Sequence, residues 1–232
     1  VNPAVGVEAT LAEDLIRPPD SPRKVLVVGG GPAGMEAART AALRGHSVVL
    51  VEAGPNLGGN VNIARLAPRL YALGDITTWL EGELYRLGVE IRNNSYMEAD
   101  DVLAENPDIV IIATGSLPRM DGRQMLFPGL PVKGVELPHV RSSEEVLTLP
   151  SDFVLPETAF VFDDVGGNEA FSTAQWLVEK GVSVTYAPPF PTLAPAVVGG
   201  VAGRAGELRG MRIVDQPSTL RHFTARFEPV AS

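Results

Sequence analysis

Lys24-Val-Leu-Val-Val-Gly-Gly-Gly-Pro-Ala-Gly-Met-Glu-Ala-Ala38 runs from a short apolar strand through three spaced glycines into an alanine-rich helix. In a loop that holds a dinucleotide diphosphate, each glycine of this order has its own role. Gly29 permits the tight turn out of the strand, Gly31 lets the backbone approach the phosphates, and Gly34 lets the helix pack closely on the strand. The helix starts near Pro32 and Ala33, so its free N–H groups and positive dipole end face the anion. The stretch sets an α/β fold with a nucleotide site at its front.

The surrounding sequence supplies the context that a lone glycine pattern lacks. A second apolar strand, Ser47 to Val51, ends at Glu52, eighteen residues beyond Gly34. An acidic residue at that place receives the ribose hydroxyls of an adenosine. No arginine follows it directly, so nothing there invites a 2′-phosphate. The next loop runs from Ala53 through Gly58 and Gly59 to Asn60. Its glycines are free to bring backbone amides near a ligand, the plain alternative being an ordinary glycine-rich surface loop.

The helix at residues 33 to 44 presents Ala33, Ala37 and Ala41 as a small face for the sheet. Ile76, Leu80, Leu84 and Leu87 give residues 75 to 87 a helical period, and Gly88 closes that helix before the strand Val89-Glu-Ile91. Trp79 and Tyr85 lie at helical spacing and read as packing rather than cofactor contacts. Asp108 to Gly115 is an apolar strand of the kind buried in a parallel sheet. Its end, Thr114-Gly115, falls beside the nucleotide, because ligands of open α/β sheets sit at the carboxyl ends of strands.

Composition narrows the function classes. The chain has 232 residues, enough for two modest domains with cores. Its net charge of −9 and pI near 4.9, without a block of Lys or Arg, argue against nucleic acid or an anionic membrane as partner. There is no Cys, which excludes a disulfide, a thiolate metal site or a cysteine-bound iron–sulfur cluster within these residues. No run approaches a membrane span, and the start lacks the regions of a signal peptide, so a cytoplasmic location is expected. The absence of an initiator Met suggests that Val1 is not the true start.

Three segments are expected. Residues 1–23, with Pro18-Pro-Asp-Ser-Pro22, read as an extended lead-in. Residues 24–150 form the first nucleotide-binding domain, with a crossing segment from 117 in which Ser143, Glu144 and Glu145 start a short helix. Residues 151–232 form a second, degenerate unit: strand Ala159 to Phe162, loop Asp163-Asp-Val-Gly-Gly-Asn168, helix Glu169 to Lys180, and strand Val182 to Tyr186. Setting Glu169 against Glu36 places Phe162, Asp164 and Gly167 at the three glycine positions. Asp163 and Asp164 then stand beside the diphosphate position and repel an anion. Two strand-like runs follow, Met211 to Val214 and Phe223 to Phe227. His46, His139 and His222 have no second ligand or nucleophile at motif spacing, which favours structural roles.

The two βαβ units, the glycine loop, Glu52, the Gly58-Gly59 loop and the Ala113-Thr-Gly115 strand end resemble the flavoproteins with two dinucleotide-binding domains. More narrowly, Gly29-Gly-Gly-Pro-Ala-Gly-Met-Glu-Ala-Ala38, Gly58-Gly-Asn60 and Val161-Phe-Asp-Asp-Val-Gly-Gly-Asn-Glu169 resemble the C-terminal portion of the trimethylamine dehydrogenase and 2,4-dienoyl-CoA reductase group, relatives of the old yellow enzymes. The resemblance implies FAD, or ADP alone, in the first unit. It implies an FMN and 4Fe-4S barrel, as a partner subunit or a further segment, that carries catalysis outside this chain. Asn2-Pro-Ala4 resembles the sequence behind the cluster's last cysteine in that group. An electron-transfer protein and an oligomeric assembly are further implied partners. The altered second loop resembles that of the amine-dehydrogenase members, so oxidation of an amine or N-methyl substrate is expected. The alternatives are an NAD(P)H-dependent enoyl or dienoyl reductase module and a non-catalytic structural subunit. A departure from the family is the absence, before Ser232, of its return to the first domain through a Gly-Asp pair.

Overall fold

The computed structural model describes residues 16–125, 127–189 and 211–214, with Gly6 and Thr10. In chain order the elements are β1 (Lys24–Val28), α1 (Pro32–Leu43), β2 (Ser47–Val51), α2 (Val61–Ala64), a 3-10 turn (Tyr71–Leu73), α3 (Gly74–Arg86), β3 (Glu90–Arg92), α4 (Ala99–Ala104), β4 (Ile109–Ile112), α5 (Ser143–Leu147), β5 (Thr158–Phe162), α6 (Asn168–Glu179), β6 (Ser183–Ala187) and β7 (Met211–Ile213). They form two units, one of residues 1–62 and 72–116, the other of 63–71 and 117–232. The crossing segment from 117 to 150 thus groups with the second unit. Both units are α/β with parallel sheets, as the alternation of strand and helix requires.

The first unit has a four-stranded sheet in the order β3-β2-β1-β4. Val25 lies in register with Val48 on one side and Ile109 on the other. Alternate residues of the central strands bury on opposite faces. Val25, Val27 and Leu50 pack with Met35, Ala38, Leu80 and Leu84 from α1 and α3, while Leu26, Val49 and Val51 pack with Met97 and Val102. Each such side chain contributes on the order of 1.5–3 kcal/mol, so the ends of β1 and β2 are fixed points for the loops they carry.

Two expectations are corrected here, and one helix is added. The buried face of α1 is Gly34, Met35, Ala38 and Arg39; of the expected Ala33, Ala37 and Ala41, Ala41 packs against the core partly buried and Ala33 is exposed. Seating Gly34 on the loop sets the helix phase and leaves Ala33 exposed. Arg39 is buried because its guanidinium pairs with Glu36 at 2.8 Å and covers the Trp79 ring at 5.1 Å. The strand at 108–115 is shorter and less buried than its composition implies. It spans Ile109–Ile112 at the sheet edge, and Val110 and Ile112 are 40% and 65% exposed. Successive side chains of a strand point to opposite faces, so Ile109 and Ile111 pack against the core while Val110 and Ile112 lie on the open face. Helix α4 was not read from sequence; the reciprocal Glu98 and Asp101 capping hydrogen bonds mark its start.

The second unit has the order β5-β6-β7, all parallel, with α6 packed on one face. Phe171, Ala174, Leu177, Val182, Val184 and Tyr186 form its core. The Phe171 and Tyr186 rings meet edge-on at 6.0 Å, a favoured aromatic geometry. The expected run Met211 to Val214 forms β7, whereas Phe223 to Phe227 and His222 lie outside the described residues. Among the described residues no helix is long and apolar enough to cross a membrane.

Candidate nucleotide-binding site

The loop between β1 and α1 is built from four backbone constraints. The N–H of Gly29 donates to the Val51 carbonyl at 2.8 Å, which ties the end of β1 to the end of β2. Gly29 has φ +109°, and a Cβ there would lie 2.3 Å from the Ala113 carbonyl oxygen. At Gly34 a Cβ would lie 1.9 Å from the Gly29 carbonyl oxygen. These two glycines are demanded by the fold itself.

Gly31 differs. Its φ of −71° and ψ of 174° suit any residue, and a Cβ there would meet only the Gly59 Cα, at 4.0 Å. Packing does not explain a glycine at this position. Gly31 is also the N-cap of α1, has no side-chain capping bond, and is followed by Pro32 at the first helical position. The N–H groups of Ala33 and Gly34 in the first turn therefore face the loop without a side-chain acceptor from the cap.

Glu52 reaches under this loop from the end of β2. Its Oε2 accepts from the Gly30 N–H and its Oε1 from the Gly54 N–H, both at 2.7 Å. Each carboxylate oxygen keeps lone pairs that could accept from a hydroxyl. Ala53 is exposed beside it. The Gly58-Gly59 loop is drawn against the same backbone. The Gly58 N–H donates to the Gly30 carbonyl at 2.8 Å, and a Cβ on Gly59 would lie 3.1 Å from the Gly31 Cα. Asn60 follows, its Nδ2 donating to the Ser116 carbonyl at 3.3 Å. Thr114 and Gly115 are exposed beyond β4, Gly115 with φ +73°. The structure thus joins Gly29, Gly31, Gly34, Glu52, Gly58 and Gly59 in one backbone cluster and links Asn60 to the strand end after β4. A recess of about 420 Å³ lined by Val51, Asn94, Ser95, Tyr96 and Met97 opens past the ends of β2 and β3. Sequence reading passed over residues 94–97 because they match no motif.

The matching loop of the second unit corrects the sequence reading. The N–H of Asp163 donates to the Ala187 carbonyl at 3.0 Å, just as Gly29 donates to Val51. Asp163 therefore corresponds to Gly29, and Phe162 to Val28, because Phe162 pairs with Ala187 as Val28 pairs with Val51. Five residues, not three, separate strand from helix here, so aligning the two units from the helix side misplaces the loop. The two carboxylates do not both stand at the phosphate position. Asp163 turns inward and is 2% exposed, with Oδ1 accepting from the Val165 and Gly166 N–H groups at 3.0 and 2.8 Å. Its Oδ2 accepts from the Tyr186 hydroxyl at 2.5 Å. Burial, then the facing carboxylate, push the Tyr186 phenol far above its ordinary range. Asp164 turns to the Met125 N–H, with both oxygens within 2.9 Å.

Residues 24–102 match the FAD dependent oxidoreductase family. The chain is 36% identical over 197 residues to a probable N-methylproline demethylase of Rhizobium meliloti, covering 85% of this chain and 27% of the relative. It is 40% identical over 185 residues to an NADH oxidase of Thermoanaerobacter brockii, covering 80% and 27%. A 6-hydroxypseudooxynicotine amine oxidase from Pseudomonas geniculata N1 superposes with a TM-score of 0.81 at 32% identity, over 93% of this chain and 33% of that one. Fold, loop and matches define the class: a domain of the FAD-dependent oxidoreductases, built from two Rossmann-like units. Within that class the chain is homologous to the dinucleotide-binding part of the trimethylamine dehydrogenase, 2,4-dienoyl-CoA reductase and old yellow enzyme-related flavoproteins. The relatives include demethylases, amine dehydrogenases and reductases. The chain spans about a quarter of the length of the curated relatives it matches.

Proposed function

We propose that the first unit holds the adenosine diphosphate portion of FAD, or ADP itself, in an enzyme that oxidises an amine or N-methyl substrate. The observation that carries this is the open space at Gly31, framed by the uncapped start of α1 and by the Glu52 carboxylate. In this reading the backbone from Gly29 to Gly34 takes the diphosphate and Glu52 takes the ribose hydroxyls. Ala53 and the recess at residues 94–97 lie toward the base, while Gly58, Gly59, Asn60, Thr114 and Gly115 lie toward the distal phosphate or flavin. The bound nucleotide would supply binding energy and, as FAD, redox chemistry; this chain's residues bind and orient it.

Catalysis is placed on an FMN and 4Fe-4S barrel, on a separate subunit or elsewhere in the same polypeptide, with an electron-transfer protein receiving the electrons. The chain's lack of cysteine and its match to a quarter of longer oxidoreductases support that placement. A reductase fed by NAD(P)H is the competing reading, and the NADH oxidase relative favours it. Anaerobic mixing of the full-length enzyme with N-methylated amines, and separately with NADH, separates the two by which bleaches the flavin absorbance. Bleaching by an amine is expected; rapid bleaching by NADH alone would favour the reductase.

A further inference from the structure

The second unit repeats the strand, turn and helix of the first with a turn two residues longer and a different residue at its first position. Where Gly29 follows β1 without a side chain, Asp163 follows β5 and folds its carboxylate back over the turn. The groups it engages, the N–H of Val165 and of Gly166, are those of the turn leading to the N-terminus of α6. In a nucleotide loop such amides face a phosphate. Here they already face an anion supplied by the chain.

We propose that the Asp163 carboxylate is a built-in occupant of the second unit's phosphate loop, that Tyr186 holds it there, and that this residue shuts the unit to nicotinamide dinucleotides. Three features of the geometry support it. The carboxylate and the phenol are both buried, at 2% and 0% exposure, so the pair is part of the core and not a mobile surface contact. Hydrogen bonds to an ionised carboxylate are of the stronger class, and an incoming phosphate would have to replace all three while standing beside the displaced charge. The adjoining positions add to the exclusion. Asp164 stands fixed on the Met125 N–H, and Ala170 occupies the third position of α6, where α1 has the Gly34 that permits close approach of helix and strand. Reducing equivalents from NADH or NADPH therefore do not enter through this unit, whether or not an adenine nucleotide fills the first.

The test uses the full-length enzyme with its resident nucleotides retained, and NADH as the probe. Titration followed by NADH fluorescence should show no saturable binding to the unaltered protein at the second unit. Asp163→Gly, which restores the residue type of position 29, should bind at least about tenfold more tightly. A folded Asp163→Gly protein that binds no better than the unaltered one would overturn the proposal. Should that variant not fold, amide hydrogen exchange decides. The Val165 and Gly166 amides should be protected, indifferent to NADH, and less protected in Tyr186→Phe. NADH-dependent slowing at those two amides, or unchanged protection in Tyr186→Phe, would contradict it.

Discussion

Gly31 and Gly34 are alike in the sequence pattern, and the structure gives them different reasons to be glycine. A side chain at 34 must push into the Gly29 carbonyl oxygen, a backbone atom that cannot rotate away. Overpacking of that kind costs about 1–3 kcal/mol. Gly34→Ala should therefore lower stability by that amount in urea denaturation of the nucleotide-stripped protein, whereas Gly31→Val should leave it within about 0.5 kcal/mol. Equal losses in the two variants would mean that Gly31 serves the fold and not a ligand. The spacing of these glycines was legible in the sequence because it is local. The direction of the Asp163 side chain was not, because it depends on a turn two residues longer than its counterpart and on Tyr186, 23 residues away.

At the scale of elements, the strands and long helices were legible from apolar runs and helical period to within a residue or two at each end, except β4, which stops three residues short of the expected Gly115. Faces and edges were less so. An apolar strand reads the same whether it has one neighbour or two, and β4 has one described neighbour. Short α4 lacks a clear apolar period and is held instead by capping and by Glu105, just past its end. Glu105 Oε1 accepts from Arg92 Nη1 of β3 at 2.6 Å, Oε2 lies 3.2 Å from the Lys24 ammonium of β1, and the same ammonium donates to the Glu105 backbone carbonyl. The hydrogen bond from Arg92, followed by that from Lys24, holds the Glu105 carboxyl below its ordinary range. A carboxyl whose pKa is depressed in the folded state adds stability above its unfolded pKa, about 4.3, and loses it as pH falls through the lower folded value. Glu105→Gln should thus flatten the acid limb of the stability profile, most clearly at low salt, since these side chains are partly exposed. An unchanged acid limb in chemical denaturation between pH 5 and about 2 would remove Glu105 from this role.

At the scale of the whole molecule, two Rossmann-like units share one pattern and differ in their loops. The first has Gly29 where its strand ends and open space at Gly31; the second has Asp163 at the place of Gly29, its carboxylate folded over the turn. The family was legible because its motifs are contiguous stretches at fixed order. Catalysis was not, because nothing in the described site is an acid, base or nucleophile poised on a reacting atom, and the chain is a quarter of its relatives' length. The central claim is that the first unit binds an adenine nucleotide through the Gly29–Gly34 backbone and Glu52. It is tested most directly by denaturing the purified full-length enzyme and identifying the released nucleotides by chromatography and mass spectrometry, alongside the Glu52→Arg variant. The account predicts close to one FAD or ADP per chain in addition to any FMN, and its loss in Glu52→Arg; a protein with no adenine nucleotide, or a variant that retains it in full, would contradict it.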